Sequence, residues 1–340
     1  MAATRKTNMP YVRLGKSGLK VSKIILGCMS YGDPRNTPWF LGEEEGIKHI
    51  KAAYDAGIQT FDTANVYSNG ESERILGKAI KVLGLPRDEI VVMTKLFAVV
   101  GREPHVNFIN ALPGDGPDEN GYINQHGLSR KHIFESVKHS LERLQLDYVD
   151  VLQCHRFDNS TPIEETFVIS ASCSRKKMQA LHDVVQAGYC PFLRIIFSVH
   201  AMQRFGFADY AINNKLTPFI SMQNHYSLIY REEEREMMPT LKYFGVGCIP
   251  WSPLGRGLLT RPLSEQTKRG ETDGFLLRGN YTSTATESII NRVEEVAKKR
   301  GLTMAQVALA WCYSKPGMTA PIVGTTSLKN LQELIGKSRF

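Results

Sequence analysis

Four side chains capable of proton chemistry stand at or just beyond the ends of short apolar runs. Asp62 closes Gln59-Thr-Phe-Asp62, Lys95 closes Ile90-Val-Val-Met-Thr-Lys95, His155 closes Val149-Asp-Val-Leu-Gln-Cys-His155, and Tyr67 lies in the loop after Asp62. A carboxylate, a phenol, an amine and an imidazole delivered from three successive strand ends make a proton-transfer centre. A phenol titrating near ~10 is a poor acid at neutral pH, and a nearby cation is a physical means of correcting that. Lys95, paired with Asp62, would favour the tyrosinate, while His155 could orient a carbonyl oxygen by a hydrogen bond. Reduction of a carbonyl by hydride puts negative charge on the oxygen, so Tyr67 is the candidate acid in such a reaction and a pyridine nucleotide its hydride source. Each residue alone has a plainer role, as turn former, rim aromatic, solvated charge or structural histidine. Their combination argues for chemistry.

The elements that must position them alternate strand with helix. A strand at Lys23–Gly27 precedes a periodic helical segment at Glu43–Ala56; Ile58–Phe61 precedes helix Glu71–Val82, Ile90–Lys95 precedes helix Arg130–Leu144, and Tyr148–Gln153 follows. The second half continues with helix Met178–Ala187, strands near Phe192–Phe197 and at Phe219–Gln223, helix Arg231–Phe244, strand Val246–Trp251, helices Ser288–Arg300 and Met304–Ser314, and strand Ala320–Val323. Eight such units closing on themselves predict a (β/α)8 TIM barrel, whose active site lies at the C-terminal ends of the strands, where the four residues fall. Tyr11 to Ser22, centred on Gly15-Lys-Ser-Gly18, reads as an N-terminal β-hairpin closing the barrel's bottom. The long Pro- and Gly-bearing stretch Phe97–Ser129 reads as an active-site loop. No Gly/Ser- or Pro-rich linker divides the chain, so residues 1–340 are expected to form a single domain with its core at about 14–335.

Composition excludes several classes. Apolar residues at 42% and charged residues at 22% are ordinary for a globular protein. The net charge of +8 is spread over helical faces, which suits an anionic small molecule and gives no reason for a nucleic-acid role. The six cysteines are scattered without a C-x-x-C pair, no metal set stands out, the N-terminus has no apolar targeting core and no run approaches a membrane span. A reduced cytoplasmic protein without membrane partners is the expectation.

The segments Phe61-Asp-Thr-Ala-Asn-Val-Tyr-Ser-Asn-Gly-Glu-Ser-Glu73, Met93-Thr-Lys95 and Leu152-Gln-Cys-His155 resemble the aldo-keto reductase family, and within it the fungal aryl-alcohol dehydrogenase-like branch. The similarity runs from about Leu14 to about Leu334. Asp62, Tyr67, Lys95 and His155 match that family's catalytic tetrad one by one. The resemblance implies an NADP(H)-dependent oxidoreductase whose partner is a small carbonyl or alcohol, aryl alcohols included. A nucleotide-sensing module of the channel β-subunit type, or an inactive paralogue, are the other readings it brings in.

The same resemblance implies cofactor contacts. Cys28 and Met29 would lie beside the nicotinamide, Gln223 would hold its carboxamide and Tyr226 would stack on its ring. After the seventh strand, Trp251, Ser252, Pro253, Leu254, Gly255 and Arg256 form a cofactor segment in which Ser252, Leu254 and Arg256 would wrap the pyrophosphate. Gly324, Thr326, Asn330 and Glu333 belong to a helix start suited to phosphate, although Thr325–Ser327 is also a plain N-cap and Trp251 a plausible core residue. The family usually places a basic residue where Thr326 stands, leaving the 2′-phosphate to hydroxyls and to Lys329. Three departures accompany this: an apparent insertion at Thr166–Lys177, an atypical fifth βα unit in which Cys190–His200 stands where the family has a Ser-containing turn, with Ser198 only an approximate counterpart of the lost Ser, and a C-terminal tail shorter than the resemblance predicts. A misassembled gene model would produce all three.

Overall fold

Short β-branched and apolar runs, each followed by an amphipathic segment, pair side by side because neither element can bury its apolar face alone. The structure, a computed structural model, describes residues 8–106, 116–167, 190, 192–196, 210–265, 268–277, 281 and 283–336. Within them, β1 (Tyr11–Arg13) and β2 (Lys20–Ser22) form a hairpin ahead of β3 (Ile25–Gly27), β4 (Thr60–Asp62), β5 (Val91–Leu96), β6 (Val151–Cys154), β7 (Phe192–Ile196), β8 (Phe219–Gln223), β9 (Gly247–Cys248) and β10 (Ile322–Val323). The interleaved helices are α1 (Glu43–Asp55), α2 (Glu71–Val82), α3 (Arg130–Leu144), α4 (Ile163–Phe167), α5 (Met237–Phe244), α6 (Lys268–Thr272), α7 (Gly274–Leu277), α8 (Thr284–Arg300), α9 (Met304–Tyr313) and α10 (Leu328–Gly336).

The eight strands β3 to β10 lie in the order β10-β3-β4-β5-β6-β7-β8-β9, every pair parallel. A parallel bridge between Cys248 and Met318, with hydrogen bonds from Thr319 N–H to Cys248 O (2.8 Å) and Ile322 N–H to Pro250 O (2.9 Å), joins the two edges. The result is the (β/α)8 barrel. Alternation along each strand then sorts side chains to two sides. Val91 and Met93 of β5 meet Leu14, Val21, Ile25, Val151, Ile249, Ala320 and Ile322 in one apolar cluster inside the barrel, whereas Val92 and Leu96 join the larger cluster under the helices.

The hairpin plugs the bottom. Leu14 is fully buried, and the turn at Gly15 is left-handed (φ 59°) with no room for a side chain: a Cβ there would stand 2.6 Å from Ile220 O and 2.7 Å from Gly247 N. Only glycine combines that backbone angle with that approach.

Two elements depart from expectation. The expected helix Arg231–Phe244 is a 3-10 turn at Glu232–Glu234 followed by α5, because Pro239 has no N–H to give and its ring would collide with the carbonyl four residues back; it fits only in a first turn. The regular ladder of the expected strand Val246–Trp251 covers only Gly247–Cys248, since Pro250 cannot donate; Ile249 and Trp251 nevertheless donate to Met222 O (2.9 Å) and Asn224 O (2.8 Å) of the β8 segment. Strand β7 pairs on both sides across the atypical fifth unit. The expected helix Met178–Ala187, Ser198 and residues 337–340 lie outside the described residues, as does most of the 166–177 stretch. Among the described residues no helix is long and apolar enough to cross a membrane.

Candidate active site

Strands β4, β5 and β6 each carry a polar side chain on the barrel's inner face at or beside their last residue, above the apolar plug. Lys95 follows Val91 and Met93 on that face at steps of two and is fully buried; Asp62, at the end of β4, is 3% exposed. Burying two charges costs several kcal/mol per ion unless every lone pair and proton is used. Here they are used. The Lys95 ammonium donates to Asp62 Oδ2 (2.6 Å), Thr63 O (2.7 Å) and Tyr67 Oη (3.1 Å), which matches its three N–H bonds. Asp62 Oδ1 accepts from Gln153 Nε2 (3.0 Å) and Gln223 Nε2 (3.1 Å).

Tyr67 lies in the loop after β4, half-buried, its ring 4.6 Å from Lys95 Nζ and edge-on to His155 with ring centroids 5.8 Å apart. Because Tyr67 Oη accepts from the ammonium, its own hydrogen is left to point elsewhere. His155 is fixed at the end of β6 by its N–H to Leu96 O (2.9 Å). Asp62, Tyr67, Lys95 and His155, widely separated in sequence, therefore form one connected group at the strand ends.

The expected cofactor positions divide into three groups. Trp251 to Arg256, following β9, line the same rim: Ser252, Gly255 and Arg256 all have left-handed backbone (φ 54°, 57° and 55°), which curls the chain around the strand end. Pro253 and Gly255 are buried there, Ser252 and Leu254 half-buried. Gly324 and Thr326 are exposed just past β10; Ser327 caps α10 by accepting from Asn330 N–H (3.4 Å), and Asn330 itself is exposed while Glu333 is half-buried. A helix start with accessible hydroxyl and amide groups beside a cationic, tightly curled rim fits the phosphates of a dinucleotide. Met29 is half-exposed at the end of β3.

Two positions behave otherwise, and a third, Arg256 of the rim, is already paired. Tyr226 is completely buried, its ring stacked on Trp311 of α9 (5.3 Å, 23°) and its hydroxyl given to Glu234, so it belongs to the layer between barrel and helices and cannot stack on a ring in the mouth. The reason is parity: Gln223 faces in, and Tyr226 lies three residues on, facing out. Cys28 is also fully buried in the outer core, where desolvation pushes its thiol far above the ordinary range, so only its backbone reaches the rim. Arg256 is not a lone guanidinium: it shares Asp273 with Arg269, at 2.6 Å and 3.1 Å.

Other participants carried a signal that residue type alone did not reveal. Gln153 precedes His155 by two positions, the spacing that places both on one strand face. His225 is sandwiched between Tyr230 and Trp251, both at 4.0 Å, and its Nε2 meets the Tyr281 hydroxyl. Burial first, and then Arg256, lower its pKa to about 3, so it is a neutral stacking ring behind Trp251.

Comparison with known proteins gives the following. The model of the Aldo/keto reductase family matches residues 23–340. Versiconal hemiacetal acetate reductase of Aspergillus parasiticus is 46% identical over 331 residues, covering 96% of this chain and 92% of the relative. Aldo-keto reductase AFTS1 of Alternaria alternata is 44% identical over 333 residues (96% and 86%), and a putative aryl-alcohol dehydrogenase of Schizosaccharomyces pombe is 44% identical over 332 residues (96% and 90%).

Proposed function

This chain belongs to the aldo/keto reductase family and is an oxidoreductase interconverting carbonyls and alcohols with a nicotinamide dinucleotide, and from that premise we propose that Tyr67 is its proton donor and NADP(H) its preferred cofactor. The observation that carries the reading is the Lys95 ammonium, 2.6 Å from Asp62 and 3.1 Å from Tyr67 Oη.

When bound, the reduced nicotinamide supplies a hydride to the carbonyl carbon. The protein does the rest. Tyr67 Oη, already accepting from Lys95, gives its own proton to the substrate oxygen as negative charge develops there. The ammonium stabilises the tyrosinate left behind, acting in a site shielded from water where its field is strong. Asp62 keeps Lys95 charged and aimed; Gln153 and Gln223 keep Asp62 aimed in turn. His155, edge-on to Tyr67, orients the carbonyl oxygen. Alcohol oxidation uses the same groups in reverse, the tyrosinate taking the hydroxyl proton.

Ser252, Arg256, Gly324, Thr326 and Asn330 are assigned to the phosphates, Trp251 and Met29 to the nicotinamide end, and Lys329 with the hydroxyls of Thr326 and Ser327 to the 2′-phosphate that separates NADP(H) from NAD(H). Residues 1–340 act as one domain, cytoplasmic and reduced; the described cysteines are buried. Aryl aldehydes are the substrate class to try first, in keeping with the named dehydrogenase relative. NADPH and NADH oxidation across aromatic and aliphatic carbonyls tests this. Turnover that prefers NADPH supports the reading, and absence of turnover with either dinucleotide defeats it.

A further inference from the structure

Directly after Tyr67, three consecutive residues adopt left-handed backbone: Ser68 (φ 48°), Asn69 (φ 50°) and Gly70 (φ 93°). Glycine does this freely and asparagine tolerably, but serine at such an angle costs on the order of 1–3 kcal/mol and persists only where surrounding contacts over-determine it. Those contacts reach two different loops. Ser68 Oγ accepts from Asp33 N–H (2.9 Å) in the loop after β3. Asn69 Nδ2 donates to Glu103 O (2.8 Å) and Val106 O (2.6 Å), and its Oδ1 accepts from Gly101 N–H (3.0 Å), all in the loop after β5.

A second amide grips the same turn from the opposite loop. Asn36 Nδ2 donates to Pro104 O and Val106 O, both at 3.0 Å. Two asparagine side chains thus hold the short turn 101–106 by five hydrogen bonds, and one of them is two residues from the proton donor. No residue of this turn belongs to the apolar clusters of the barrel. The effect of the five bonds is to set the height and distance of this loop relative to Tyr67.

We propose that Asn69 and Asn36 form an amide clamp that fixes the 101–106 turn as the substrate-side wall beside Tyr67, and so sets how bulky a carbonyl the site accepts. Both are positioning residues; neither is assigned to the nucleotide. The kinetic part of the inference rests on Tyr67 being the proton donor, while the clamp itself does not.

Asn69→Gly removes three of the bonds without backbone strain, Asn36→Ala removes the other two, and Asn69→Asp keeps only the acceptor for Gly101 N–H. Hydrogen exchange over residues 98–106 should quicken at least tenfold in Asn69→Gly, with Gly101 protection rescued in Asn69→Asp. With NADPH, Asn69→Gly and Asn36→Ala should raise KM for a bulky aryl aldehyde at least fivefold relative to a short aliphatic aldehyde. The kcat for the short aldehyde and the dissociation constant for NADPH should stay within twofold. Unchanged exchange overturns the clamp, and faster exchange with an unchanged KM ratio overturns its role in substrate fit. If the wild-type protein turned over no carbonyl, the proton-donor reading would fall, and exchange at Gly101 would still decide the clamp.

Discussion

The ammonium of Lys95 and the carboxylate of Asp62 meet at 2.6 Å with side chains 0% and 4% exposed, a charge pair sealed in the barrel with every lysine proton assigned. Its position on the inner face, directly over an apolar plug, makes it both a structural liability and the electrostatic basis of the site.

Breaking the pair from one side leaves a buried charge unbalanced. Asp62→Asn and Lys95→Met should each lower stability by about 3–5 kcal/mol, the range for removing one partner of a buried ion pair. The double variant should regain a good part of that, because neither charge is then stranded, yet regain no turnover. Urea unfolding beside NADPH oxidation checks both halves. Stability losses that simply add would show that the two groups are not coupled as described.

Acid should loosen the fold before the carboxylates titrate. Burial lowers His132 to about 4, and burial with Arg256 lowers His225 to about 3, from an ordinary 6.5. Between these values and 6.5 the unfolded chain binds protons that the folded chain refuses, so stability is full above about 6.5 and falls as pH drops. The urea midpoint should decline from pH 7 to about pH 4.5, and His225→Phe, which keeps a stacking ring without a titrating one, should flatten the decline. An identical slope in the variant would contradict the assignment.

Helix α2 packs closely on the C-terminal end of α3 at Gly77. A Cβ on Gly77 would stand 2.3 Å from Leu144 O and 2.8 Å from Leu144 Cα, both backbone atoms. Gly77→Ala should gain helix propensity of about 1 kcal/mol but lose more to the forced separation of the helices, for a net destabilisation of about 1–3 kcal/mol. A melting temperature at or above wild type would refute the close approach.

Much of this architecture is readable in the chain because a βα unit advertises itself twice, by alternation and by helical period. The four proton-handling residues are readable for a related reason: Asp62, Lys95 and His155 stand at or beside strand ends, Tyr67 lies in the loop that follows Asp62, and barrel strands end at one rim. Legibility fails where a side chain's direction depends on how far the strand geometry persists. Tyr226 lies three residues beyond Gln223 and packs outward on Trp311, and Cys28 turns into the outer core one residue past β3. It fails again where the partner is a distant backbone atom. Nothing in Ser68-Asn69 announces bonds to Asp33 and Gly101, and nothing in Gly77 announces the Leu144 carbonyl. Pro239 and Pro250 were visible throughout, and their effect on α5 and β9 follows from the missing N–H alone.

Tyr67→Phe tests the central claim most directly. It removes one oxygen that accepts from Lys95 at 3.1 Å and leaves the ring, the barrel and the nucleotide rim in place. A general acid contributes roughly 10²–10⁴-fold, so kcat for NADPH-dependent reduction of an aryl aldehyde should fall by at least about 100-fold, with NADPH binding by fluorescence quenching unchanged within about twofold. Turnover retained within about tenfold of wild type, with NADPH bound normally, would contradict Tyr67 as the proton donor.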